Sequence, residues 1–174
     1  DVVVAITTAP DAGGNNTLTV CDQGAATDLF AALNGTPDAG GTWSGPSAIT
    51  GGMYDPAVMN PGAYVYTVAG AAPCTNASAT VQVNETGSPD AGGNGAATLC
   101  NDGAAVNLFT ALTGTPDAGG TWSGGLVGGL FDPQVNAAGT YTYTVNATAP
   151  CVGAQADVVV AITTAPDAGG NNTL

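Results

Sequence analysis

Residues 62–68 read GAYVYTV and residues 139–145 read GTYTYTV. Tyr64, Tyr66 and Val68 stand at every second place in the first, as do Tyr141, Tyr143 and Val145 in the second. A period of two puts such residues on one side of a pleated chain, so each heptapeptide is expected to be a strand with one face buried. Similar short patterns lie on either side. TLTVC (17–21) alternates Leu18 and Val20 with threonines, GTWSG (41–45) carries Trp43, and SATVQVNE (78–85) places Val81 and Val83 inward. ATDLF (26–30) and AVNLF (105–109) are expected to be short strands anchored on Leu29/Phe30 and Leu108/Phe109, with the following AAL and TAL able to close a helical turn. Short strands separated by Gly, Pro, Asn and Asp predict an all-β fold of the sandwich kind.

The strands recur in order. CDQGAATDLFAALNGTPDAGGTWSG from Cys21 matches CNDGAAVNLFTALTGTPDAGGTWSG from Cys100, and GGMYDPAVMNPGAYVYTV matches GGLFDPQVNAAGTYTYTV. PDAGG occurs five times, at Pro10, Pro37, Pro89, Pro116 and Pro166. Three copies punctuate repeats of 79 residues (Pro10 to Pro89) and 77 residues (Pro89 to Pro166), and the other two turn the chain into the tryptophan strand. Proline fixes φ, aspartate hydrogen-bonds its own turn, and glycine allows positive φ. Residues 1–18, DVVVAITTAPDAGGNNTL, return letter for letter at 157–174, a larger period of 156. The expected layout is therefore residues 1–9 as the last strand of a preceding repeat, 10–88 and 89–165 as two immunoglobulin-like repeats, and 166–174 as the start of the next, all within a longer tandem array.

Composition excludes whole classes of function. The chain has 13 acidic residues and no Lys, Arg or His. Without cations it cannot neutralise phosphate, which argues against nucleic acid and anionic membranes as partners. Without His or Lys it lacks the usual general base, metal ligand and amine nucleophile, so no catalytic residue and no enzyme is expected. No apolar run is long enough for a membrane-spanning helix, and no charged segment followed by an apolar one marks a signal peptide. Hydrophobic residues at 44% can still build cores.

Each repeat holds two cysteines, Cys21 and Cys74, then Cys100 and Cys151. An even count in small repeated domains favours disulfides and an oxidising compartment. The spans within each repeat suggest Cys21 with Cys74 and Cys100 with Cys151. A metal site is the weaker reading, since there is no Cys-x-x-Cys and no histidine.

The acidic residues allow two further readings. Asp11, Asp38, Asp90, Asp117 and Asp167 lie in PDAGG loops, while Asp55 and Asp132 lie in YDP and FDP. Calcium would need several such loops to converge, and a glycosidase pair would need two acids at the right separation. Turn capping explains the same positions more simply. No cofactor is therefore expected. Trp43 and Trp122 are expected in the cores, with Tyr64 and Tyr141 in the tyrosine-corner role, their hydroxyls bonding back to nearby backbone. Sugar stacking is the rival use of these aromatics. Six Asn-x-Ser/Thr sequons, at Asn15, Asn34, Asn76, Asn84, Asn146 and Asn171, matter only where the host glycosylates asparagine.

The frame C…G…NLF…L…GTPDAGGTWSG…DP…GTYTYTV…C resembles repeats of giant secreted surface proteins of Bacteroidota, among them gliding-motility adhesins and related prey-catching surface filaments exported by type IX secretion. The resemblance covers both repeats and is specific in its Cys–Trp–Tyr–Cys order. It implies an extracellular, cell-surface location and an array of immunoglobulin-like domains whose attachment domains lie elsewhere. The chain is thus expected to be a structural repeat of a filament or adhesin stalk, contacting neighbouring repeats end to end through short, stiff junctions and associating laterally with parallel copies. The alternative is an adhesin module that itself binds glycan or protein.

Overall fold

The computed structural model describes residues 1–166. It divides the chain into two compact units, one of residues 1–88 with Ala149–Cys151, the other of Pro89–Thr148 with the chain from Val152 onward. The expected repeat start at 166–174 falls almost wholly outside the described residues.

The first unit contains β1 (Asn16–Cys21), β2 (Thr27–Asp28), β3 (Thr42–Ser44), β4 (Met53–Tyr54), β5 (Gly62–Val68) and β6 (Ala77–Thr86). Four of them form a mixed sheet in the order β1-β6-β5-β3, and β2 pairs with β4 in a second, two-stranded sheet. β1 runs parallel to β6, while β5 is antiparallel to both β6 and β3. The core lies between the layers. Tyr64, Tyr66, Val81 and Val83 from the large sheet meet Tyr54 from the small one and Leu29 from the chain just after β2. The alternation of GAYVYTV explains the sidedness, since Tyr64, Tyr66 and Val68 are all buried. Each unit is a small two-layered β-sandwich.

The second unit repeats the plan with β7 (Gly95–Cys100), β8 (Val106–Asn107), β9 (Thr121–Trp122), β10 (Leu130–Phe131), β11 (Gly139–Val145) and β12 (Ala154–Thr163). Its sheets are ordered β7-β12-β11-β9 and β10-β8, again with the first strand parallel to the last. Leu108, Phe131, Tyr141, Tyr143, Val158 and Val160 form its core.

Three local expectations change. The expected strand ATDLF keeps only Thr27–Asp28 extended, and Leu29–Ala32 is a single helical turn. The Asp28 side chain accepts the Phe30 N–H at 2.8 Å, offering the backbone a cap in place of a ladder bond. Asn107 does the same for Phe109 N–H at 3.0 Å, ahead of a 3-10 turn at Leu108–Ala111. Second, MY (53–54) and LF (130–131) are strands that their two-residue length hid. Third, residues 1–9 form no strand and are exposed, although the same letters form part of β12.

Candidate functional site

The PDAGG copies prove to be partners. In the first unit Asp11 N–H donates to Asp38 Oδ2 at 2.9 Å, and Asp38 N–H donates to the Asp11 carbonyl at 2.8 Å. Asp11 Oδ1 also accepts the Gly13 N–H at 2.7 Å, closing its own turn. The second unit reproduces the clasp: Asp90 N–H to Asp117 Oδ2 at 2.9 Å, Asp117 N–H to the Asp90 carbonyl at 2.8 Å, and Gly92 N–H to Asp90 Oδ1 at 2.7 Å. Glycine is required at the bend: Gly13 has φ +77°, and a Cβ there would lie 2.6 Å from the Asn34 carbonyl oxygen. Gly92 repeats this with φ +75° against the Thr113 carbonyl.

A tyrosine hydroxyl pins each clasp to the core. Tyr66 O–H donates to the Asp38 carbonyl and accepts the Gly41 N–H, both at 2.8 Å. Tyr143 O–H donates to the Asp117 carbonyl at 2.7 Å and accepts the Gly120 N–H at 2.8 Å. The other tyrosine of each strand forms the corner, with Tyr64 O–H donating to the Asn60 carbonyl at 2.6 Å and Tyr141 O–H to the Ala137 carbonyl at 2.7 Å. The repeated carboxylates are thus engaged with backbone. Asp55 and Asp132 likewise accept the Ala57 and Gln134 N–H groups. Asp167 lies outside the described residues.

Trp43 and Trp122 are half-buried and not enclosed. Their rings tilt against Tyr66 and Tyr143 with centroids 5.0 and 5.1 Å apart. They sit on the last strand of the large sheet, where one face rests on the core and the other borders solvent. Beside Trp43 is an open cleft of about 600 Å³, lined among others by Asp28, Phe30, Ile49 and Tyr66. It offers an aromatic face and one carboxylate to a ligand.

One polar pair is special to the first unit. Tyr54 is fully buried and its O–H donates to Glu85 Oε1 at 2.5 Å. Burial first, and the Glu85 carboxylate second, push the Tyr54 phenol well above its ordinary range. The corresponding positions of the second unit are Phe131 and Ile162, so both polar partners are replaced together by apolar residues.

The cysteines depart from the expected pairing. Cys21 is bonded to Cys151, 130 residues on, with Cα atoms 4.9 Å apart, while Cys74 and Cys100 are free thiols. In sequence Cys21 corresponds to Cys100 and Cys74 to Cys151, so the bond joins unlike cysteines of successive repeats. Four cysteines allow three pairings, and only the distance between Cα atoms selects among them. The APC segment that ends in Cys151 belongs by sequence to the second repeat yet forms part of the first compact unit. Asp22 lies beside the bond and accepts the Ser88 O–H at 2.6 Å and N–H at 2.9 Å, which hold its carboxyl below the usual range. Cys21, Asp22 and Cys151 converge as potential metal ligands, but the two sulfurs are spent on each other.

No family model matches the chain, and no curated protein matches it. Among solved structures, it is similar to a three-domain immunoglobulin fragment of titin, domains I67–I69 in a Glu-to-Ala variant, at 12% identity and a TM-score of 0.44. The match covers 87% of this chain and 64% of the titin chain.

Proposed function

We propose that this chain is a structural repeat of a long extracellular filament or adhesin stalk, holding attachment domains away from a cell surface. The observation that carries the reading is the Cys21–Cys151 bond between successive repeats. Tension entering before residue 21 and leaving after residue 151 passes through one covalent bridge and bypasses the 130-residue span between them. β2 to β6 and β7 to β11 are thereby shielded from extension. The duplicated clasps and tyrosine corners support the same reading, because in both repeats these side chains are used to hold backbone in place. Neighbouring repeats and parallel copies are the partners of this role, and no enzymatic activity is assigned. Electron microscopy of native material tests it: an axial period into which the repeat fits is expected, and globular particles without one would overturn it.

The Trp43 cleft favours a second reading, an adhesin module that binds glycan directly. Glycan-array binding by the chain, abolished in Trp43→Ala, is its expected signature. Unchanged binding in that variant, or none at all in the parent chain, removes it.

A further inference from the structure

The two free thiols are not equivalent. Cys100 closes β7 as Cys21 closes β1, and the two strand ends share their backbone N–H bonds, although the Ser88 hydroxyl bond to Asp22 has no counterpart at Ala165. Cys21 is in register with Thr86 and Cys100 with Thr163. Asp22 N–H donates to the Thr86 carbonyl at 3.0 Å, and Asn101 N–H to that of Thr163 at 2.9 Å. The Ser88 N–H donates to Asp22 Oδ1 at 2.9 Å, and the Ala165 N–H to Asn101 Oδ1 at 2.8 Å. Cys100 therefore occupies the same seat as the bonded Cys21, with its sulfur still a thiol.

Cys74 is the complementary half. Like Cys151 it ends an APC segment between the last two strands of its repeat. Cys151 Sγ lies 3.2 Å from the carbonyl oxygen of Thr86, the residue in register with its partner Cys21. Cys74 Sγ lies 3.6 Å from the carbonyl oxygen of Thr7. By the 156-residue identity Thr7 is the counterpart of Thr163, the residue in register with Cys100. Cys74 thus already rests against the threonine that marks the seat, and lacks only the thiol that a Cys100 counterpart would bring.

We infer that Cys100 of one repeat pair and Cys74 of the next are the two halves of a second inter-repeat disulfide, identical in kind to Cys21–Cys151. The partner is another copy of this same repeat pair, supplied head to tail. A bond between unlike cysteines gives an open, heterologous joint that propagates and does not close into a dimer. In a second copy of this chain, residues 157–164 of one molecule would take the place held by residues 1–8 of the other. Those eight residues are exposed and join no sheet, so they can yield it. An external disulfide such as oxidised glutathione supplies the oxidation: its S–S bond breaks, the Cys100–Cys74 S–S bond forms, and two glutathione thiols carry away the two protons and two electrons.

The test uses the full chain in a glutathione redox buffer. Cys74→Ser and Cys100→Ser variants are incubated separately and mixed, then run without reductant. The mixture is expected to give the covalent dimer in at least about tenfold excess over either variant alone, because docking aligns only the unlike pair. Peptides cut at aromatic residues should show Cys100 joined to Cys74, and the parent chain should form a ladder of multimers through the same bond. Dimers of either single variant as abundant as in the mixture, a Cys74–Cys100 bond within one chain, or glutathione adducts alone would each overturn the inference. For a longer chain the inference rests on the filament reading, and the two fail separately. An axial period with alkylatable Cys74 and Cys100 counterparts overturns only this joint, whereas mapped Cys100–Cys74 bonds without an axial period overturn only the filament.

Discussion

DVVVAITT stands at residues 1–8 and again at 157–164, and the two copies do different things. In the second, the run ends β12, with β11 antiparallel on one side and β7 parallel on the other. Val158 and Val160 are 0% and 2% exposed there. In the first copy Val2 and Val4 are 92% and 79% exposed, and no strand forms. The letters carry strand propensity and alternation in both places. What differs is whether two sheet neighbours and an apolar layer are available to receive them. β propensity measures fit to such a surface, so without the surface it has little to act on.

The largest effect should come from placing one substitution at both copies. Val158→Asp buries an unpaired carboxylate, and the second unit should lose about 4 kcal/mol or more, enough to unfold a domain of this size. Val2→Asp, the same change in the same letters, should stay within about 0.5 kcal/mol of the parent. Urea titrations followed by tryptophan fluorescence distinguish them, and comparable losses at both positions would break the comparison.

The cysteines sharpen it next. Removing the bridge with Cys21→Ser should cost about 2–4 kcal/mol, while Cys74→Ser should cost little, because Cys74 closes no loop within the chain. Force spectroscopy gives the independent reading. Reduction should release the 130-residue span and add about 430–470 Å of contour length at roughly 3.3–3.6 Å per residue. Equal lengths before and after reduction would contradict the bridge.

The clasps should respond alike in both units, because their surroundings match. Tyr66→Phe leaves the Gly41 N–H and the Asp38 carbonyl without their shared hydroxyl, and Tyr143→Phe does the same to Gly120 and Asp117. About 1–3 kcal/mol is expected from each, measured by thermal unfolding. A loss confined to one unit would mean that the two clasps are not equivalent.

The smallest effect separates the two strand ends by pH. Asp22 is held below the usual carboxylate range by the Ser88 hydroxyl and amide, whereas an asparagine, Asn101, stands at the matching place. A depressed carboxyl pKa stabilises the fold above the unfolded value, and that contribution fades as pH falls through the folded value. The Ser88 amide resonance should therefore shift in acid with an apparent pKa below that of an ordinary aspartate, while the Ala165 amide stays flat. Matching titrations at both amides would remove the distinction.

Much of this molecule is readable before any folding. The alternation in GAYVYTV and GTYTYTV set the buried faces, because strand periodicity is local and does not depend on the neighbour. The phasing of PDAGG marked the repeats, and turn chemistry accounted for its aspartates and glycines. The mating of the copies was hidden, since nothing local says that the turn at Asp11 meets the turn at Asp38. The short strands at Met53–Tyr54 and Leu130–Phe131 were hidden too, because two residues cannot display a period. Trp43 and Trp122 resemble core residues in sequence, yet a position on the outer strand of a sheet leaves one ring face toward solvent. Spacing favoured pairing Cys21 with Cys74, and tertiary structure chose Cys151. A disulfide forms where two Cα atoms come within bonding reach, and sequence separation says little about which pair does so. Residues 1–8 and 157–164 mark the same limit, for the sequence determines what a segment can pair with and only the assembled sheet provides the partner.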